Sequence, residues 1–517
     1  MTHRPILAPP PGYTGPKHAL ILAGGGMRLS YAAGVIKALY EAGLRFTHYD
    51  GTSGGALNLA MLLSGLSPDE MVANWRSLDP KDFVSLLPLA DYLKAGKLKA
   101  SGDADNVRKK VLPHLGIDPA KVRAAAGVDA WFNVLNFSTK VNEIIPHTAV
   151  DEDFLIAGMS LPGVYPPVPK NGALYLDSAF VRDANLLEAA RRGAEELWVV
   201  WVLGNTQRFR GGMLDLYVQM LEMSANGMLH VEFDQINEIN ARRRGGEAVY
   251  GSTRPLRLHL IKPQYPLPLD PDLFLGKIDH PTLISMGYTD AAQYLKSKPE
   301  SGMPFSPEAT KMTDTPLGIT FAETMSGGLT MGTTDQKAGE KQGEKDGNTF
   351  AMHGTINIRD IRKFIADPAH AGEIHGSIDY PPLGTGMPSK VGVFNLFSPT
   401  DMPNMKFMVY EMGFTAGGRD YYFAGRKEVH DDRGFDLWSD TTTLYTNLHA
   451  GTDKTGPIIG AGILHLSLAQ LTKMVPTFAA TGAASAKDKM EAINAFGKFF
   501  MGELWDTYRK LVKADDN

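Results

Sequence analysis

Phe46-Thr47-His48-Tyr49-Asp50-Gly51-Thr52-Ser53-Gly54-Gly55-Ala56-Leu57-Asn58-Leu59-Ala60 reads as a short strand, a tight turn and the start of a helix. Its centre, Gly51-Thr52-Ser53-Gly54-Gly55, fits the G-x-S-x-G elbow, which lifts a serine hydroxyl onto a strand-to-helix turn. Flanking glycines let the chain pass closely while the serine takes a strained backbone. The helix-like run that follows, Ala56–Leu63, aims its free N–H groups and positive dipole end back at the serine. In a chain with 54 glycines the pentapeptide also arises in plain turns, so the reading needs a second motif.

That motif lies upstream. Ala19-Leu20-Ile21-Leu22-Ala23 reads as a buried strand, Gly24-Gly25-Gly26-Met27-Arg28 as a glycine loop, and Tyr31–Leu39 as an amphipathic helix. Three successive glycines can turn several N–H groups toward one point and hold a phosphate or a developing oxyanion. A dinucleotide fingerprint fails because the third glycine of G-x-G-x-x-G is missing, and a P-loop fails because no Gly-Lys-Ser/Thr follows. An oxyanion site paired with the Ser53 elbow accounts for both motifs together.

The ordered pair GGGMR and GTSGG resembles the patatin-like phospholipase family, over roughly residues 15–298. The resemblance implies a patatin-like α/β/α sandwich with a mostly parallel sheet. It also implies a Ser–Asp dyad without histidine, the aspartate lying in a D-G-G/A motif. The matching segment is Leu174-Tyr175-Leu176-Asp177-Ser178-Ala179-Phe180, preceded by Ser160-Leu161-Pro162 and Pro166-Pro167 and followed by a helix-and-strand pattern through Trp201. Ser53 and Asp177 are thereby expected as the catalytic pair, Gly24, Gly25, Gly26 and Gly54 as the oxyanion hole, and Arg28 as a support of the loop or a guide for an anionic headgroup. Two positions depart from the family pattern: Ser178 stands where glycine usually follows the aspartate, and Leu29 where glycine often follows the basic residue.

The chemistry sets conditions on these groups. A serine hydroxyl is a weak nucleophile at neutral pH and needs a base in hydrogen-bond reach. An aspartate serves as that base only where a partly apolar pocket raises its pKa. Without the resemblance, Asp177 reads more readily as a turn- or helix-capping residue. His230, His259 and His280 are the candidates for a Ser-His-Asp alternative, and none sits in a recognisable loop signature. His370, Glu373 and His375 have ligand types suited to zinc, but incidental histidines at a loop-and-strand edge are the better reading. No metal and no cofactor is expected.

Composition bounds the rest. A chain of 517 residues forms more than one domain. A net charge of -5 gives no electrostatic case for nucleic acid. The absence of cysteine excludes thiol catalysis and fits a reducing compartment. No apolar run reaches a membrane span and Met1–Lys17 lacks a signal-peptide core, so a cytoplasmic protein making peripheral membrane contact is expected.

Three regions are expected: an acyl hydrolase domain over 1–298, a linker over 299–315, and a β-rich domain over 316–517. Strands are expected at Ala19–Ala23, Phe132–Phe137, Leu197–Leu203 and Leu256–Ile261, and helices at Leu214–Arg243 and Ala90–Arg123, the latter a candidate lid. Met220, Met223 and Met228 recur near one face of the first helix, where core packing is preferred over an acyl groove. The third region alternates Gly318–Glu323, Phe350–Ile358, Gly392–Phe397, Lys406–Phe414, Tyr421–Val429, Thr441–Tyr445 and Ile458–His465 with turn residues, as in an antiparallel barrel or sandwich. Gly332–Asn348 is expected as a mobile loop and Lys487–Lys513 as an amphipathic helix docked on the barrel.

Thr324–Gly328, Thr355–Ile361, Ile378–Gly384 and Asp436–Thr446 weakly resemble C-terminal segments of bacterial cholesterol-oxidase-like flavoproteins. No flavin motif accompanies them, so at most a lipid- or sterol-handling accessory module is implied. The expected function is a serine lipid acyl-ester hydrolase of phospholipase A or lipase type. The competing reading is a lipid-binding or interaction protein with a vestigial site, and oligomeric state is left open.

Overall fold

The computed structural model describes residues 7–83, 100, 102–205, 209, 211–268, 273, 278–402, 405–430, 441–483 and 485–512. It divides into two compact units, one of residues 1–274 with 290–314 and one of 275–289 with 315–517.

The first unit is an α/β layer structure. Its sheet runs β5 (Val168–Lys170), β6 (Ala173–Leu176), β3 (Asp129–Asn136), β2 (His48–Gly51), β1 (His18–Leu22), β7 (Glu196–Val200) and β8 (Arg257–Ile261), with β4 (Val141–Pro146) paired to β3. The neighbours β3, β2, β1, β7 and β8 are parallel, whereas the β3–β4, β3–β6 and β5–β6 pairings are antiparallel. Central strands of a parallel sheet are covered on both faces, which is why Ala19–Leu22 and Leu197–Val200 are apolar throughout and fully buried. The helix Ser30–Glu41 follows β1 and the helix Gly54–Leu63 follows β2, each buried along nearly its whole length.

The elements expected in this unit are present, with two differences. Residues 90–99 and 101 of the expected 90–123 helix lie outside the described residues. Its remainder is broken into Val107–Val111, Leu112–His114 and Pro119–Arg123, because Pro113, Gly116 and Pro119 interrupt the ladder. The long helix is Met213–Arg244, but Met220 and Met223 are exposed, at 50% and 64%, rather than packed in the core. Its core face is instead Leu221, Ala225, Leu229, Phe233 and Ile236. Residues 299–314 pack along this unit: Phe305 joins its core and Met303 N–H donates to the Leu258 carbonyl at 2.7 Å.

The second unit is a closed antiparallel barrel. Eight strands follow each other around the ring: β9 (Gly318–Met331), β10 (Thr349–Ile358), β11 (Ala371–Tyr380), β12 (Gly384–Pro399), β13 (Met405–Ala416), β14 (Arg419–His430), β15 (Thr443–Ala450) and β16 (Ile458–His465). β16 pairs back to β9, and the short β17 (Ala479–Thr481) lies on the start of β9. Alternate residues point inward, so Phe350, Phe394, Met412, Phe423 and Leu444 fill the interior. Within that filling, Lys427 Nζ donates to Glu323 Oε1 at 2.8 Å, and Tyr410 O–H donates to Glu323 Oε2 at 2.9 Å.

β11 was not expected as a strand. The region expected as a mobile loop holds the helix Gln336–Asp346, capped by Asp335 at its start and by Gly347 in the left-handed region at its end. Cap residues at both ends and a buried Gly339/Gly343 face offset its low helix propensity. The C-terminal helix Ala486–Val512 packs on the barrel through Phe496 against Phe321, Phe499 against Phe364, and Phe500 against Phe397. The side chains of Leu504, Trp505 and Tyr508 lie outside the described residues.

Candidate active site

Ser53 sits between β2 and the helix Gly54–Leu63 with φ 52° and ψ -133°, a conformation costly for any residue with a side chain. The turn is forced by packing. A Cβ on Gly55 would lie 2.2 Å from the Leu22 carbonyl oxygen, so only glycine lets the helix start directly against β1. A Cβ on Gly54 would lie 2.5 Å from the Gly26 carbonyl oxygen. The elbow and the glycine loop therefore touch, backbone against backbone.

The elbow rests on a buried polar network. Asn133 Nδ2 donates to Thr52 Oγ1 at 2.6 Å, and Asn185 Nδ2 donates to Asp50 Oδ2 at 2.8 Å and to Asn133 Oδ1. Burial raises the Asp50 carboxyl to about 7, against the Asn185 hydrogen bond that lowers it. These groups tie β2, β3 and the segment after Asp183 together beneath Ser53.

β6 ends immediately before Asp177, whose N–H donates to the Ser160 carbonyl at 3.0 Å. The side chain is 1% exposed, and its Oδ1 accepts the Ala179 N–H at 2.9 Å. Burial pushes the Asp177 carboxyl up to about 7, and hydrogen bonding from Ser53 and from the Ala179 N–H holds it down in part. Among the described residues Oδ2 has no partner meeting full hydrogen-bond geometry, so the Ser53 contact is a loose one. A carboxylate near 7 is matched to taking a proton at neutral pH.

The glycine loop closes the other side. Arg28 is buried, and its Nε donates to the Gly25 carbonyl at 3.0 Å. That bond turns the Gly25 carbonyl toward Arg28 and supports the loop. The N–H groups of Gly25, Gly26 and Gly54 have no acceptor among the described residues. The Gly24 N–H is already engaged: it donates to both oxygens of Asp183, at 3.0 and 3.1 Å. The Gly24 N–H is thus tied to a carboxyl group, while its Cα lies against Ser53.

The two departures fit locally. Ser178 is outside the left-handed region, so its side chain costs no backbone strain, and its Oγ donates to the Arg182 carbonyl at 3.2 Å. Leu29 is fully buried against the glycine loop, and its carbonyl accepts from Asn58 Nδ2 at 2.9 Å. His259 lies between Glu196 and Tyr294, and His230 faces Thr310. In the barrel, His375 Nε2 lies 3.4 Å from Glu373, whereas His370 bonds the Phe364 carbonyl; no metal-binding group of three is found among the described residues.

Sequence reading missed Asp183, Asp50, Asn133 and Asn185. The signal was acidic and amide residues inside otherwise apolar runs at strand ends, which is unusual unless they are paired in the interior.

Residues 20–190 match the family described as patatin-like phospholipase. This part of the chain thus carries a match to a patatin-like phospholipase domain, a class of lipid acyl hydrolases. The crystal structure of VipD from Legionella pneumophila is similar at 14% identity over 54% of this chain and 67% of that one. Its TM-score is 0.30, and so distant a likeness carries no weight. No curated protein matches the sequence. Among the described residues no helix is long and apolar enough to cross a membrane.

Proposed function

We propose that the chain is a serine lipid acyl-ester hydrolase working through Ser53 and Asp177. The observation that carries this is a serine in a strained elbow beside a buried carboxylate lifted to about 7. Ser53 Oγ attacks the ester carbonyl while Asp177 takes the hydroxyl proton. The tetrahedral oxyanion is received by N–H groups of Gly25, Gly26 and Gly54, at the positive end of the helix Gly54–Leu63. Collapse breaks the ester C–O bond, and the leaving alcohol takes the proton from Asp177. Water then attacks the acyl-serine, giving its proton to Asp177, and the fatty acid leaves as Ser53 is regenerated. Arg28 supports the loop rather than meeting the substrate.

A lipid surface is the proposed source of substrate. Met213, Leu214, Leu216, Met220 and Met223 are exposed on the first turns of the helix Met213–Arg244. Tyr217 in the same stretch donates to the Pro162 carbonyl at 2.6 Å. Its phenol is raised to about 12, first by burial and then by the charge of Asp177, so this apolar stretch adjoins the dyad. The vestigial reading rested on Ser178 and Leu29, and neither strains the backbone or removes a reacting group.

The test is intact-mass detection of a fluorophosphonate adduct on the wild type, Ser53→Ala and Asp177→Asn. One adduct on the wild type and none on Ser53→Ala supports the assignment. No adduct on folded wild type overturns it.

A further inference from the structure

Beside the dyad stands a carboxyl group that the proposed chemistry does not use. Asp183 is 1% exposed, and both its oxygens lie on one backbone donor, the Gly24 N–H, at 3.0 and 3.1 Å. A Cβ at position 24 would stand 2.4 Å from Asp183 Oδ1 and 2.9 Å from Ser53 Cβ. Carboxyl group, glycine loop and nucleophile therefore meet at a single residue.

We propose that Asp183 is a positioning residue, whose carboxyl group clamps the Gly24 N–H and so fixes the glycine loop against Ser53 without touching substrate. This rests on the acyl-hydrolase reading above. A run of three glycines is the softest backbone a chain can offer, and ordering it has a high entropic cost. Oxyanion donors act only when held within a few tenths of an ångström of the forming charge. The loop is pinned at two consecutive residues: Asp183 holds the Gly24 N–H and Arg28 holds the Gly25 carbonyl at 3.0 Å. Between those bonds and the elbow, Gly25 and Gly26 have little freedom left.

The electrostatics suit a neutral clamp. Burial first, then the charge of Asp177, push the Asp183 carboxyl well above its usual range; Asp50 adds to this, while the Gly24 N–H and Arg28 oppose it. Burial and the neighbouring charge of Asp177 both favour the protonated form of Asp183. A protonated aspartate and an asparagine have nearly the same shape, and each offers one carbonyl oxygen to the Gly24 N–H. Asparagine at 183 is thus expected to preserve the clamp, and alanine to abolish it.

The experiment compares wild type, Asp183→Ala, Asp183→Asn and Ser53→Ala. It measures kcat and KM on a soluble p-nitrophenyl ester and amide hydrogen exchange of peptides covering residues 20–29. Asp183→Ala is expected to lower kcat roughly 10- to 100-fold, as mispositioned donors do, with KM little changed and faster exchange at Gly24. Asp183→Asn is expected to restore both. Should Asp183→Ala fail to fold, Asp183→Ser, too short to reach Gly24, takes its place. Wild-type kcat and exchange in the truncated variant overturn the clamp, as does an equal loss of kcat in folded Asp183→Asn. If the wild type itself has no Ser53-dependent turnover, the acyl-hydrolase reading fails separately. Exchange then decides the clamp alone, and an unchanged rate in the truncated variant overturns it.

Discussion

In the α/β unit burial drives the carboxyls of Asp50, Asp177 and Asp183 upward, and the charges of the first two also raise Asp183. In the barrel Glu323 is buried just as deeply, but Lys427 and the Tyr410 hydroxyl take its two oxygens, and both ionic side chains are 3% exposed. The barrel carboxylate is matched in charge and in hydrogen bonds. In the α/β unit burial is the main influence instead; it costs stability and lifts Asp177 to about 7, the range suited to a base at neutral pH. A buried acid that is fully partnered fixes structure, and one left partly unpartnered is free to exchange a proton.

Several substitutions break or sharpen that contrast. The largest effect is on turnover: Ser53→Ala and Asp177→Asn are each expected to remove ester hydrolysis, by about 10⁴-fold or more, in steady-state assays. Next is pH. With Asp177 near 7, kcat/KM on a soluble ester is expected to fall about tenfold per pH unit below roughly pH 7, a limb that a pH-rate profile reads directly.

In the barrel, Lys427→Met strands Glu323 without its cation. It is expected to cost about 3–5 kcal/mol in denaturant unfolding, most of it recovered when Glu323→Leu is added.

The reverse holds at the dyad. Asp177 titrates near 7 in the fold and near 4 in the unfolded chain, so between those values only the folded state keeps the proton. Stability falls as pH rises through that window, and the full cost is present above about pH 7. Asp177→Asn is therefore expected to be more stable than wild type by roughly 2–4 kcal/mol at pH 8, and equal to it at about pH 4. The smallest effect lies outside both sites: serine at Met213, Met220 and Met223 together is expected to lower hydrolysis of vesicle lipid several-fold. Rates on a soluble ester are expected to stay unchanged.

The parts legible in the sequence were those set by neighbours along the chain. Ser53 and its glycines form one turn, so the pentapeptide carried the elbow, and the apolar β1 run carried the sheet. The barrel strands were legible from their alternation, except β11, where the register shifts between Glu373 and Ser377 and scattered histidines hide the period of two. The helix Gln336–Asp346 was obscured by Gly339 and Gly343, which lower propensity but lie on its buried face. Periodicity showed that Met220 and Met223 share a face, yet not that both side chains are exposed. The contact of Asp183 with Gly24 joins residues 159 positions apart, and no local pattern encodes it.

β16 hydrogen-bonds to β9, so the last staves of the barrel close on the first. Order along the chain and order around the ring are then independent: any hairpin can serve as the place where the ring is opened. The tight turn Gly417–Gly418 between β13 and β14 is the natural cut, its two residues at φ 54° and 73° and exposed to solvent. The barrel is in this sense a circular object written out linearly, and its present starting point at Gly318 is one choice among eight.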